Sequence, residues 1–259
     1  MASPTRYMDY IVFVPVAFFL IALIFSMLGM GGSQLYIPIL FWMGMDFKTQ
    51  AIPLGMLLNV INSSSAAVTY YRKRLIDFRM ALPFAVAMVV FAPLGTIFNL
   101  SVPVTPLIVI FAVFTATAAV LMLSGWRPAR HDLSRRERVI LGLCGGSVLG
   151  FFAGLIGRGG GSFVVPMLYM AGLDPKVAAA TSALVVTCSG SASFLSHVLT
   201  AAAPDWAVWI ASAMAVLGGS QIGSRLMAHR ARPRHIRAVF GMVLLCVAAL
   251  LLVQALFLG

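Results

Sequence analysis

Acidic side chains are almost missing from this sequence: its 259 residues hold seven Asp and Glu against 18 Lys and Arg. The single glutamate, Glu137, sits among arginines, and the six aspartates read as loop or helix-end residues. Charge of either sign makes up 10% of the chain, whereas a soluble domain carries nearer a quarter. Cysteine is scarce as well. Cys144, Cys188 and Cys246 lie inside apolar segments at unrelated spacings, which excludes a disulfide framework and gives no metal-ligand pattern. No metal and no cofactor are expected. The chain also lacks His-Glu-x-x-His and Gly-x-Ser-Gly, and Ser33 and Ser162 follow glycines with no base beside them, so it does not read as an enzyme. The net charge of +11 does not signal nucleic acid, because the basic residues are confined to short loops between apolar segments.

What is present is hydrophobic surface. Sixty-one per cent of the residues are hydrophobic and the mean hydropathy is +1.00. Apolar runs of about 20 residues, each long enough to cross ~30 Å of hydrocarbon, follow one another almost without interruption. Stretches such as Ile108 to Leu123 and Val239 to Val253 are apolar on all sides, the pattern of spanning helices rather than the alternation of barrel strands. The expected fold is an all-α integral membrane protein with the lipid bilayer as solvent. One Arg precedes a first apolar stretch far longer than a signal-peptide core, so that segment is expected to be retained.

The chain repeats itself. An offset of 128 residues places Leu28-Gly-Met-Gly-Gly-Ser on Ile156-Gly-Arg-Gly-Gly-Gly, Pro38 on Pro166, Gly44 on Gly172, Asp46 on Asp174 and Lys48 on Lys176. The same register carries Ser63 onto Ser191, Ser65 onto Ser193, Asp77 onto Asp205 and Gly95 onto Gly223. A duplication on this scale divides the chain into a first membrane repeat at 1–126, a basic loop at 127–137 and a second repeat at 138–259.

Loop charge orients the repeats, because Lys and Arg concentrate on cytoplasmic loops. Loops 71–79, 125–138 and 225–237 are arginine-rich, while the connections near 99–105 and 199–206 carry no Lys or Arg. Equivalent loops at 72–79 and 200–207 then lie on opposite sides, and the repeats are inverted. Inversion requires an odd number of segments per half. Dividing the long first run of each half at its glycines supplies this: a helix (about 10–28, 138–156), a short segment (33–45, 161–173) and three helices (about 50–70, 80–98, 104–125; about 178–199, 206–228, 236–258). At ~1.5 Å per residue the short segments cannot comfortably cross alone. Eight helices with a bent first one in each half, which would make the repeats parallel, is the alternative.

The glycine clusters Gly29, Gly31, Gly32 and Gly157, Gly159, Gly160, Gly161 fall where broken backbone is tolerated only inside protein or beside a watery cavity. Each precedes a helical segment whose first N–H groups lack partners, a setting suited to an anion. Substrate contacts are expected from these glycines with Ser33, Gln34, Arg158 and Ser162. The other reading of the clusters is close helix packing through small residues. Arg158, opposite Met30 in the repeat, is the one charge in the middle of a break; it either meets an anionic substrate or snorkels to head groups. In the following helices Asn62, Thr181 and Ser182 are the favoured polar residues, drawn from Asn59, Asn62, Ser63, Ser64, Ser65, Thr181, Ser182, Thr187, Ser189, Ser191 and Ser193. His197, near a helix end, is either a proton relay or an interfacial residue. Asp77 and Asp205, each just before a helix, read as N-terminal caps.

The two motifs Gly29-Met-Gly-Gly-Ser-Gln-Leu-Tyr-Ile-Pro38 and Gly157-Arg-Gly-Gly-Gly-Ser-Phe-Val-Val-Pro166-Met-Leu resemble the paired signatures of the sulfite exporter TauE/SafE family. The Ala180-Thr-Ser-Ala run, Ile76-Asp77 after a basic turn, and Gly95 and Gly223 fit the same family, and the likeness covers nearly the whole chain. It implies a bacterial inner-membrane permease that exports sulfite or carries sulfonates or other small sulfur-containing anions. Ser33 departs from the fuller glycine run of the second motif, and Arg158 stands at a position regarded as variable in the family. A secondary transporter working by alternating access is the expectation, with an anion channel or a carrier of a non-sulfur anion as alternatives; assembly as a homodimer is left open.

Overall fold

The computed structural model describes residues 4–98, 109, 112, 113, 115–117, 119, 120, 123, 124, 134–156, 161–198, 205–229 and 233–258. Its helices are α1 (Pro4–Leu28), α2 (Ser33–Trp42), α3 (Ile52–Arg72), α4 (Phe78–Phe98), α5 (Arg135–Ile156), α6 (Gly161–Met170), α7 (Pro175–Val198), α8 (Trp206–His229) and α9 (Pro233–Leu258). A π-helical turn, Phe47–Ala51, leads into α3, and helical residues also occur between 109 and 123. There is no strand among the described residues. The all-α expectation holds.

Among the described residues, five stretches are long and apolar enough to cross a membrane: Thr49–Arg72, Phe78–Gly95, Arg135–Gly154, Pro175–Val198 and Trp206–His229. The exterior is apolar at helical spacing, with Phe13, Val16, Leu20 and Ile24 exposed along α1 and Leu82, Val86, Val90 and Leu94 along α4. In water such stripes would be a liability; in a bilayer they are the solvent-facing surface. α3 and α7 lie innermost, with 72% and 56% of their apolar windows buried against 39–44% in the other three.

The duplication survives in detail. α2 and α6 begin and end at positions 128 residues apart, at Ser33 and Gly161 and at Trp42 and Met170. Both stop in the same motif: Gly44 (φ 93°) donates to Phe41 O while Met45 donates to Leu40 O, and Gly172 (φ 90°) donates to Tyr169 O while Leu173 donates to Leu168 O. A left-handed glycine followed by this crossed pair of bonds ends a helix cleanly. The caps read from sequence are also present. Asp77 Oδ1 accepts from the N–H groups of Arg79 and Met80 at the start of α4, and Asp205 Oδ1 from those of Ala207 and Val208 at the start of α8.

The halves are interleaved. α1 packs on α8 and α4 on α5, α3 crosses α7, and α3 touches α8 as α4 touches α7. These contacts exchange with one another when the halves are exchanged, as a two-fold relation demands. Glycine sets the closest approaches. A Cβ at Gly219 would lie 2.3 Å from Phe19 O and one at Gly223 2.0 Å from Leu23 O; at Gly146 it would lie 2.6 Å from Phe84 O and at Gly150 2.8 Å from the Met88 Cα. Numbers rise together along both pairs, so α1 runs in the same sense as α8, and α4 as α5. The bonds Ser220 to Asn62 O, Gln221 to Ser65 and Ser224 to Thr69 align α8 with α3 in the same sense too.

α2 does the opposite. Ser26 O accepts from Tyr70 Oη, Gly31 O from Asn62 Nδ2, Ser33 N–H donates to Asn59, and Ile37 packs where Gly55 lacks a side chain. As the chain advances through the glycines its partners on α3 recede, so α1 and α2 form a hairpin reversing at Gly29–Gly32. Met167 of α6 likewise returns to Gly145 of α5. The short segment therefore does not carry α1 onward; it runs back beside it.

Candidate functional site

Three left-handed glycines make the first reversal: Gly29 at φ 68°, Gly31 at φ 84° and Gly32 at φ 122°, conformations costly to any residue with a Cβ. Space is as restrictive as φ. A Cβ at Gly29 would lie 1.9 Å from Ala179 O, at Gly31 2.0 Å from Asn59 Oδ1, and at Gly32 2.9 Å from the Tyr36 ring. All three glycines are buried. The turn is thus clamped between α2, α3 and α7.

Polar groups from both halves hold it. Ser182 Oγ on α7 donates to Gly29 O at 2.8 Å, Asn62 Nδ2 on α3 donates to Gly31 O, and Ser33 N–H donates to Asn59 Oδ1 at 3.2 Å. Leu35 N–H and Tyr36 N–H both donate to Gly32 O. The start of α2, read from sequence as an open set of N–H donors, is therefore partly occupied from within. Five buried side-chain atoms lack a hydrogen-bond partner among the described residues, and three of them surround this turn: Tyr36 Oη, Asn59 Nδ2 and Asn62 Oδ1. Unpartnered buried polar atoms are costly and call for an explanation.

The two breaks meet. A Cβ at Gly161, the first residue of α6, would lie 2.0 Å from Met30 O. Gly157, Arg158, Gly159 and Gly160 lie outside the described residues, and Ser162 is the second residue of α6. Of the remaining expected site residues, Gly29, Gly31, Gly32, Ser33, Asn62 and Ser182 come together at the first turn, and Gln34 follows in the first turn of α2. Thr181 is buried but points elsewhere. Its Oγ1 accepts from Asp77 N–H at 3.1 Å, beside the ion pair in which Arg138 reaches Asp77 Oδ2 at 2.5 Å. Most of the helix hydroxyls are spent on their own backbone, as with Ser63 to Asn59 O, Thr187 to Ala183 O and Ser191 to Thr187 O. His197 stands in the last turn of α7. A cleft of about 420 Å³ opens between α3 and α8, lined by Ile61, Ser64, Ser65 and Val68 and by Ala213, Met214, Leu217 and Gln221.

Two residues at the turn stand outside those favoured from sequence. Asn59 lies three residues before Asn62, on the same face of α3. Tyr36 was legible only as a hydroxyl in the apolar part of α2, one turn after the break. Among the described residues no group of His, Cys, Asp and Glu is placed to hold a metal ion.

A family model described as Sulfite exporter TauE/SafE matches residues 14–251. The chain is similar to a probable membrane transporter protein of Xylella fastidiosa (strain 9a5c), 25% identical over 240 residues that cover 88% of this chain and 90% of that one. Two further relatives are the probable membrane transporter protein y4hK of Sinorhizobium fredii, 27% identical with 82% and 87% covered, and the probable membrane transporter protein YunE of Bacillus subtilis, 23% identical with 90% and 93% covered.

Proposed function

Because the chain belongs to the sulfite exporter TauE/SafE family, we propose that this multi-pass membrane transporter is a secondary carrier of a small sulfur-containing anion, sulfite or an organosulfonate. It works by alternating access in the bacterial inner membrane, with loops 71–79, 125–138 and 225–237 in the cytoplasm. The relatives are bacterial, and helical bundles belong to inner membranes, outer-membrane proteins being barrels.

The observation that carries the reading is the contact of the two glycine breaks, Gly161 against Met30 O, between the innermost helices. Irregular backbone at that depth is the usual binding element of carriers built from inverted repeats. Inversion itself is supported by helix direction. α3 and α4, of 21 residues each, are joined by residues 73–77; end to end they would reach about 60 Å, twice the hydrocarbon thickness, so in one bilayer they run oppositely. α1 runs with α3 through their shared neighbour α8, and α5 runs with α4. Equivalent helices α1 and α5 then point in opposite directions. The substrate is bound by Gly29, Gly31, Gly32, Ser33, Gln34, Asn62 and Ser182 together with Gly157, Arg158, Gly159, Gly160, Gly161 and Ser162, while Thr181 holds the start of α4. Arg158 supplies the positive charge for the anion. The glycine-packed pairs α1–α8 and α4–α5 rock about α3 and α7, opening the site to one side at a time.

The test is transport by purified protein in proteoliposomes, with sulfite, thiosulfate, taurine and sulfoacetate as cargo. Saturable counterflow of one of these is expected, reduced at least tenfold in Arg158→Ala and Arg158→Lys. Non-saturating flux without counterflow would indicate a channel, and no flux of any of the four would remove the cargo assignment.

A further inference from the structure

We infer that Tyr36, Asn59 and Asn62 form a single asymmetric binding subsite at the first glycine turn, which takes an oxoanion that also carries a hydroxyl or amine hydrogen. The inference rests on the proposed cargo and assigns its chemistry. Tyr36 Oη and Asn59 Nδ2 are donors, Asn62 Oδ1 is an acceptor, all three side chains are fully buried, and none of the three atoms has a hydrogen-bond partner. Such a set is completed by a ligand that accepts twice and donates once.

The three side chains line the bare turn at Gly31 and Gly32. Asn59 stands against the missing side chain of Gly31 and Tyr36 against that of Gly32, adjacent residues of the reversal. Tyr36 is held by its ring, packed on Phe18 with centroids 4.9 Å apart, so its hydroxyl is positioned without a hydrogen bond. The amide nitrogen of Asn59 has room because Gly190 on α7 lacks a side chain; a Cβ there would lie 2.9 Å away. Asn59 Oδ1 meanwhile accepts from Ser33 N–H, the place an anion oxygen takes at a helix start. Asn59 Oδ1 thus occupies Ser33 N–H, and an arriving oxoanion accepts from the unpartnered Nδ2 beside it. The second half has no such set. Positions 128 residues on hold Val164, Thr187 and Gly190, and the Thr187 hydroxyl is bound to Ala183 O of its own helix.

The experiment measures the affinity of sulfite, isethionate and ethanesulfonate for the purified full chain through the rise in melting temperature with ligand concentration. Wild type is expected to bind isethionate at least tenfold more tightly than ethanesulfonate, which lacks the hydroxyl. Tyr36→Phe and Asn59→Ala each weaken isethionate at least tenfold, and Asn59→Asp, which builds a carboxylate into the anion position, abolishes binding. Tyr36→Phe removes one oxygen and keeps the ring contact, so it tests the subsite even if the Asn59 variants fail to fold. Wild-type affinity retained within twofold in both Tyr36→Phe and Asn59→Ala, as ordered water at these atoms would give, overturns the subsite and leaves the cargo reading standing. Equal affinity for isethionate and ethanesulfonate overturns the role of Asn62. No response to any of the three anions overturns the cargo reading and this inference with it.

Discussion

Asp77 shows how much one side chain does where the halves join. Its Oδ1 caps α4, its Oδ2 pairs with Arg138 at the start of α5, and its backbone N–H reaches Thr181 on α7. These roles separate by substitution. Asp77→Asn keeps a capping oxygen and loses the ion pair; with the two side chains 19% and 27% exposed, the loss is about 0.5–1 kcal/mol. Asp77→Ala loses the cap as well, about 1 kcal/mol more. Thermal unfolding of the purified variants checks the order, and an alanine variant no less stable than the asparagine one would contradict it. The cap was legible in the sequence, since an aspartate before an apolar run has few other uses. The role of Thr181 was not. Its hydroxyl suggested the substrate, but which groups lie opposite a hydroxyl 104 residues away in the chain is decided by helix packing, not by local pattern. Asn59 and Tyr36 escaped emphasis for a related reason: what sets them apart is an unfilled hydrogen bond, visible only once neighbours are in place.

At the scale of elements, hydropathy located the helices closely: α4, α5 and α8 lie within about three residues of expectation at each end. Long apolar runs bounded by charge leave little freedom in where a helix sits. The reversal of α2 and the π-helical turn before α3 were beyond reach, because they depend on the sign of φ at three glycines and on pairing with α3. Parallel contact of α1 with α8 produces the clearest contrast. At Gly223 a methyl group would sit 2.0 Å from a backbone oxygen of α1, while at neighbouring Gly218 its nearest atom is a ring carbon of Phe19 at 3.6 Å. Gly223→Ala is expected to cost about 1–3 kcal/mol, as overpacking does. Gly218→Ala should be neutral or slightly stabilising, since alanine favours the helix. Equal melting temperatures for the two variants would show that α1 and α8 are not in backbone contact at Gly223.

At the scale of the whole molecule, duplication was the most legible property, because a register of 128 residues can be read without any structure. How the copies embrace was not legible: reciprocity of α1 with α8 and of α4 with α5 is a fact of packing. Inversion makes a prediction about sidedness. In a chain with Cys144, Cys188 and Cys246 replaced by alanine, a single cysteine at Leu75 should react with an impermeant maleimide only in inside-out vesicles, and one at Ala202 only in right-side-out vesicles. Labelling of both from one side would make the repeats parallel.

Interleaving also has a consequence for how the chain is made. Phe19 on α1 meets Gly219 on α8, about 200 residues later in synthesis; at ~5–20 residues per second the gap is roughly 10–40 s. Throughout that interval the first helix stands in the membrane without its principal neighbour. Neither half is a finished folding unit when it leaves the ribosome, and the bundle closes only when the last third of the polypeptide arrives to grip the first.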